Sequence, residues 1–143
     1  MYLRRLPDRM TAYWEQLRKG IPLPDYGSFR SDAIMDLWSH CFSLSVLPAG
    51  DVTSFIYDYV GSDVMEAYGE NVAGRLVSSR ARGGPGDNII AKLENVMKSK
   101  EPLIEGGVFV NGKGRAVKYR ACILPFGREK VTNMVVGVAW QAT

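Results

Sequence analysis

The sequence predicts an α+β fold with an antiparallel sheet, and three observations predict it. In "SFIYDYVGSDVMEAYGENVAGR", Phe55, Tyr57 and Tyr59 recur at every second residue, and after Gly61 the apolar Val64, Met65 and Tyr68 fall at helical spacing. From Pro102 onward the period is two throughout, in "PLIEGGVFVNGKG", "RAVKYRACILPFG" and "KVTNMVVGVAWQA". Between these regions "NIIAKLENVMKSK" returns to helical spacing. Strands that come first as a pair and last as a triplet, with helices between them, suit one sheet covered by the intervening helices.

Each element follows in order. Residues 8–19 place Met10, Tyr13, Trp14 and Leu17 on one helical face, and Gly20, Pro22 and Pro24 end that helix. "SDAIMDLWSH" predicts a second short helix with Ser31 or Asp32 as its cap and Ile34, Leu37 and Trp38 as its apolar side. In "CFSLSVLPAGD", Phe42, Leu44 and Val46 alternate with small residues, and Pro48 to Asp51 form a turn into the strand of Phe55, Tyr57 and Tyr59. A helix over 62–68 follows, then a glycine-rich crossing, then a longer helix with Asp87 as cap and Leu93, Val96 and Met97 along one side. Asn111-Gly112 is the strongest hairpin signal before the last strands.

Composition narrows the class. The 143 residues are enough for one domain with its own core, and no repeat or linker divides them, so the whole of 1–143 is expected to fold as one unit. With 46% hydrophobic and 23% charged residues, no apolar run approaches the roughly 18 residues of a membrane span, and the N-terminus has no signal-peptide pattern. A cytoplasmic protein is expected. The net charge of +3 is mild and its cations are scattered, apart from Arg75, Arg80 and Arg82 in one loop, which does not make a nucleic-acid-binding face. No nucleic-acid or membrane partner is therefore expected.

Catalytic residue types are sparse. The single histidine, His40, is followed by Cys41 at the start of a strand, where neighbouring side chains point apart and share a proton poorly. "GGPGDNII" brings glycines to a helix start but lacks the GK[ST] ending of a phosphate loop. Cys41 and Cys122 form no CxxC pair, so no metal site is expected. The reading is a protein that binds and does not catalyse.

The informative residues are the inward sets of the strands. Phe42, Leu44 and Val46, then Phe55, Tyr57 and Tyr59, then Val117, Tyr119, Ala121 and Ile123, and finally Met134, Val136 and Val138 can share the face under the helices. Met65, Tyr68, Leu93 and Met97 would close that face from the other side. Two readings stay open: the residues fill one another as core, or Tyr57, Tyr59 and Tyr119 present their hydroxyls to a small ligand. The stripe of Met10, Tyr13, Trp14 and Leu17 on the first helix would dock on its own sheet or on a second subunit.

The order of elements is similar to that of PAS domains. Tyr13-Trp14, Leu17-Arg18, Gly20 and Pro24, then Phe55, Tyr57, Val60-Gly61, Gly69 and Gly74 resemble a bacterial PAS subfamily with a YWxxLRxG-like N-terminal helix, over residues 11–141. "IMDLWSH" and "RLVSSRARGGPG" depart from its pattern. The resemblance implies a five-stranded antiparallel sheet in the order 2-1-5-4-3, with helices over one face, a flanking helix at about 8–19 and a core at about 31–141. That order leaves the strands of Cys41 and Cys122 unpaired with each other, so no disulfide is expected. The resemblance further implies a sensory or regulatory module that shifts conformation when a small molecule or a signalling partner binds, and pairing into a homodimer through the flanking helix. A purely structural dimerisation domain is the first alternative, and an enzyme of a small-molecule class using Asp58, Glu66 or His40 is the second. Neither flavin nor haem is expected: there is no asparagine-cysteine-arginine motif, and no histidine in 87–100 to ligate haem.

Overall fold

The computed structural model describes residues 5–49, 52–77, 89–110 and 113–141. The expected Asp87 cap, the Asn111-Gly112 turn and Arg80 and Arg82 of the basic loop lie outside the described residues. Helix α1 runs Leu6–Arg18 with Pro7 in its first turn, where a missing N–H leaves nothing unsatisfied, and it stops at Lys19 and Gly20, both in the left-handed region. The expected second helix is instead a 3-10 turn at Ser31–Ile34 running into a single α turn, α2, at Met35–Trp38, with no side-chain cap from Ser31 or Asp32. Strands β1 (Cys41–Ala49) and β2 (Val52–Val60) form the first hairpin. Helices α3 (Ser62–Tyr68) and α4 (Ile89–Ser99) follow, then β3 (Leu103–Val110), β4 (Ala116–Gly127) and β5 (Val131–Gln141).

The five strands make one antiparallel sheet in the order β2-β1-β5-β4-β3, as expected. Register assigns its two faces. Phe42, Val136 and Ile123 stand in one row across β1, β5 and β4; Cys41, Gly137 and Cys122 stand in the next row, on the opposite side. The first row belongs to the inner face, which α4 covers: Lys92 of α4 reaches Glu105 of β3, and Glu105 pairs with Ala121. The second row belongs to the outer face, where α1 lies.

The outer face explains why α1 stays on this chain. Leu6, Met10 and Trp14, spaced four residues apart, are buried, and the Trp14 indole N–H donates to the Pro125 carbonyl at 2.6 Å. Burying each such side chain is worth about 1.5–3 kcal/mol. Beyond Trp14 an aromatic chain continues across Tyr26, Phe29, Phe126 and Trp38. Met10 and Trp14, expected as possible anchors for a second subunit, are thus consumed by the sheet, whereas Tyr13 and Leu17 keep partial exposure.

The chain also covers one sheet edge. Part of the glycine-rich crossing runs along β2: the Tyr57 N–H donates to the Arg75 carbonyl, the Gly74 N–H to the Tyr57 carbonyl and the Val77 N–H to the Phe55 carbonyl, at 2.7–3.0 Å. Those groups would otherwise be an exposed template for another strand.

Candidate functional site

The inner face is the candidate site, and the strands set it by alternation. Phe42 and Leu44 from β1, Phe55 and Tyr57 from β2, Ala121 and Ile123 from β4, and Met134, Val136 and Val138 from β5 are buried there. Leu93 and Val96 of α4 and Val64 of α3 belong to the same core. Phe42 and Tyr57 meet edge to face at 5.5 Å. Met65, Met97, Val46 and Tyr119 pack on the margin, half-buried. Val117 is buried toward the β3 end. Tyr68 is at the end of α3, and its side chain lies outside the described residues.

Tyr59 does not join this face. The register of β1 and β2 shifts between Ser43 and Leu44: Ser43 pairs with Tyr59 and Leu44 with Tyr57, which leaves Asp58 as the extra residue of a β-bulge. The bulge reverses the alternation, so Tyr57 points inward and Tyr59 outward. There the Tyr59 ring stacks on Trp38 at 4.4 Å, nearly parallel, and its hydroxyl donates to the Trp38 carbonyl at 3.1 Å. Burial raises its pKa. Of the three tyrosines of the expected set, Tyr59 thus serves α2 and not the inner face. Asp58 accepts from the Ser45 hydroxyl, a local partner that suits the bulge.

A polar group sits at the corner of α4, β3 and β4. Lys92 Nζ lies 2.6 Å from Glu105 Oε1, and both side chains are largely buried. Desolvation works against the Lys92 charge, but the hydrogen bond and charge of Glu105, with a contribution from Tyr119, outweigh it and raise the pKa. The Tyr119 ring lies against Gly107, where a Cβ would stand 3.0 Å from it, and meets Phe109 at 5.9 Å. Glu105 carried a signal in the sequence, as a charged residue at an inward position of a period-two segment; its partner on a separate helix did not.

His40 joins three elements. Its Nδ1 is 3.2 Å from the Val138 carbonyl of β5, its Nε2 is 3.4 Å from Asp63 of α3, and its ring meets Trp140 at 4.8 Å. Ser39 donates to the same Asp63 carboxylate. The carboxylate therefore stands between hydroxyl and imidazole, so His40 has no contact through which to take the Ser39 proton. Cys41 faces the other way, under α1, with its thiol 3.7 Å from the Met10 sulfur; Cys122 approaches the same sulfur at 3.8 Å from the far side of Gly137. Both thiols are free and buried, and burial pushes Cys122 up to about 12 and Cys41 higher still. Among the described residues no three of His, Cys, Asp and Glu converge on a metal-sized site, and no helix is long and apolar enough to cross a membrane.

No family model matches the sequence, and no curated protein matches it. Solved structures do. A fungal LOV domain photoreceptor, described as integrating blue-light and oxidative stress, aligns at a TM-score of 0.51 with 14% identity, over 94% of this chain and 92% of its own. The light-state LOV structure of the blue-light photoreceptor Aureochrome1 aligns at 0.49 with 13% identity, over 81% and 89% of the two chains. An RNA-binding light-oxygen-voltage receptor aligns at 0.46 with 13% identity, over 83% of this chain and 35% of its own.

This likeness corrects one expectation. LOV domains bind flavin, which overturns the expectation of neither flavin nor haem as a cofactor, drawn from the missing asparagine-cysteine-arginine motif and from the lack of a histidine in 87–100. The described residues fit a flavin in part. The inner face is aromatic and aliphatic, but Phe42, Leu44, Phe55, Leu93 and Met134 are packed at 0–2% exposure, so a planar ring would enter by spreading them, with the Glu105-paired Lys92 and Tyr119 at the margin. Cys41 and Cys122, on the outer face, are not placed to bond a ring held there. The five-stranded sheet in the order β2-β1-β5-β4-β3, with its covering helices and N-terminal helix, gives this chain the fold of PAS and LOV domains.

Proposed function

We propose that this protein is a non-catalytic sensory module that takes a planar aromatic small molecule, of flavin class, between its inner face and α4. The observation that carries this reading is the two-sided use of β5: Met134, Val136 and Val138 face the candidate site while Val135, Gly137 and Ala139 face α1. A ligand that spreads the inner residues displaces the strand that seats α1, so occupancy shifts the population of docked α1. A flavin-class ring would supply light or redox sensitivity. This chain's residues would position it, with Phe42 and Tyr57 against the ring and Lys92 and Tyr119 toward its polar edge. The module works in the cytoplasm, alone or as a homodimer, passes its signal by protein contact and takes no nucleic acid.

The test is native mass spectrometry of protein purified from its own host, before and after denaturation, with a visible absorption spectrum of the same sample. A mass excess that vanishes on denaturation, with visible absorption, is expected. A bare chain mass that persists after incubation with flavin mononucleotide would sink the reading.

A further inference from the structure

The two edges of the sheet are treated differently. The β2 edge is covered by residues 74–77 through three backbone hydrogen bonds, whereas no described residue pairs with the outer edge of β3. β3 has no lysine, arginine or proline along Leu103–Val110 to block pairing at its edge, and its one inward charge, Glu105, is matched by Lys92 of the same chain. Its outward positions are apolar and open, with Ile104 43%, Val108 61% and Val110 53% exposed. Gly106 stands between them, so another backbone can come close.

Charge says what would cover it. Lys118 pairs with Val108 and Arg120 with Gly106 in register, so both cations share the outer face of the stripe, and both are exposed. Neither makes an ion pair with a described residue. A second copy of this chain laid on the stripe would bring these cations against their own kind, which costs affinity. An acidic partner would be attracted by them.

We propose that the β3 edge is a docking site for an extended acidic segment of another protein, which adds a sixth strand to the sheet. Its main chain pairs with the free edge of β3, and on the one face it shares with the stripe its apolar residues and carboxylates take turns, the apolar ones against Ile104, Val108 and Val110 and the carboxylates toward Lys118 and Arg120. The site is separate from the inner face and does not depend on a ligand there.

The probe is an eight-residue peptide matching the length of β3, Val-Thr-Asp-Thr-Val-Thr-Asp-Thr, in which valine and aspartate share one face, with a control that carries lysine in place of aspartate. Binding to the full chain is followed by fluorescence anisotropy and by backbone NMR. The acidic peptide is expected to bind with shifts centred on residues 103–110, and the basic one not to bind at the same concentration. Val108→Glu, an exposed change that leaves the core intact, should weaken binding about tenfold by setting a like charge on the edge against the carboxylates of the peptide. Lys118→Glu with Arg120→Glu should reverse the preference between the peptides. Equal affinity for both peptides, no binding of the acidic one, or shifts away from β3 overturns the proposal. Self-association that a further cation, Val108→Lys, abolishes also overturns it, because the face would then belong to a second copy.

Discussion

The Met10 sulfur occupies the space in which a Gly137 side chain would stand: a Cβ on Gly137 would lie 2.3 Å from Sδ of Met10, and 2.8 Å from Leu6. A residue without a side chain in the middle of a central strand is therefore the seat of α1. Gly137→Ala is expected to lift α1 and to destabilise the protein by about 1–3 kcal/mol, the usual range for overpacking. Urea denaturation measures the loss. Because Cys41 and Cys122 lie under the same sulfur, their reaction with a thiol reagent in the native state should accelerate in parallel. Unchanged thiol reactivity at lowered stability would mean that α1 stays docked and that the strain is absorbed elsewhere.

Gly61 answers a different constraint. A Cβ there would stand 2.3 Å from the Ser39 carbonyl oxygen and 2.8 Å from that of Cys41, and both are backbone atoms that cannot turn aside. The close approach lets the Gly61 N–H donate to the Cys41 carbonyl and the Asp63 N–H to the Ser39 carbonyl, which locks the start of α3 against the start of β1. Gly61→Ala should cost more than Gly137→Ala, upward of about 3 kcal/mol, since overpacking against fixed atoms falls at the high end of its range. Comparing the two variants in one denaturation series checks the ranking.

The abrupt change of period around Gly61 was legible in the sequence because a strand and a helix bury their side chains at different spacings, and the join between them came out where the spacing changed. The five strands were legible for the same reason. The face of Tyr59 was not: the alternation of Phe55, Tyr57 and Tyr59 reads as unbroken, and only the pairing with β1 reveals Asp58 as a bulge. The dual life of the glycine-rich crossing was equally hidden, since the bonds of residues 74–77 to β2 are made by backbone atoms that leave no mark on side-chain pattern. Helix α1 showed its apolar stripe plainly, but whether the stripe meets its own sheet or another chain depends on Gly137, more than 120 residues away.

The buried thiols set a pH dependence. Burial raises the Cys122 pKa from 9.0 to about 12 and raises that of Cys41 as well. The folded state holds both thiols neutral where the unfolded chain ionises them, so their contribution to stability is fully present below pH 9.0 and declines as pH rises toward 12. Urea midpoints of the wild type should fall between pH 8.5 and pH 10.5, a range of roughly the size that linkage requires. In a Cys41→Ala, Cys122→Ala variant, less stable overall, the fall over the same range should be visibly shallower. An equal slope in both proteins would place the alkaline sensitivity on other groups.

Two tyrosines two residues apart divide the functions of the sheet. Tyr57 lies on the inner face against Phe42, and Tyr59 lies on the outer face against Trp38. Tyr57→Ala should remove the mass excess seen by native mass spectrometry and also lower stability by about 3–5 kcal/mol, as truncating a buried aromatic does. Tyr57→Phe keeps the packing, so it separates loss of fold from loss of ligand contact and should weaken retention of the ligand with a smaller change in stability. Tyr59→Phe removes only the hydrogen bond to the Trp38 carbonyl, worth about 1 kcal/mol, and should leave the bound mass unchanged. The contrast is the informative quantity. Loss of ligand from Tyr59→Phe but not from Tyr57→Phe would move the binding face to the α1 side of the sheet, where Trp38, Phe29 and Phe126 already form an aromatic layer.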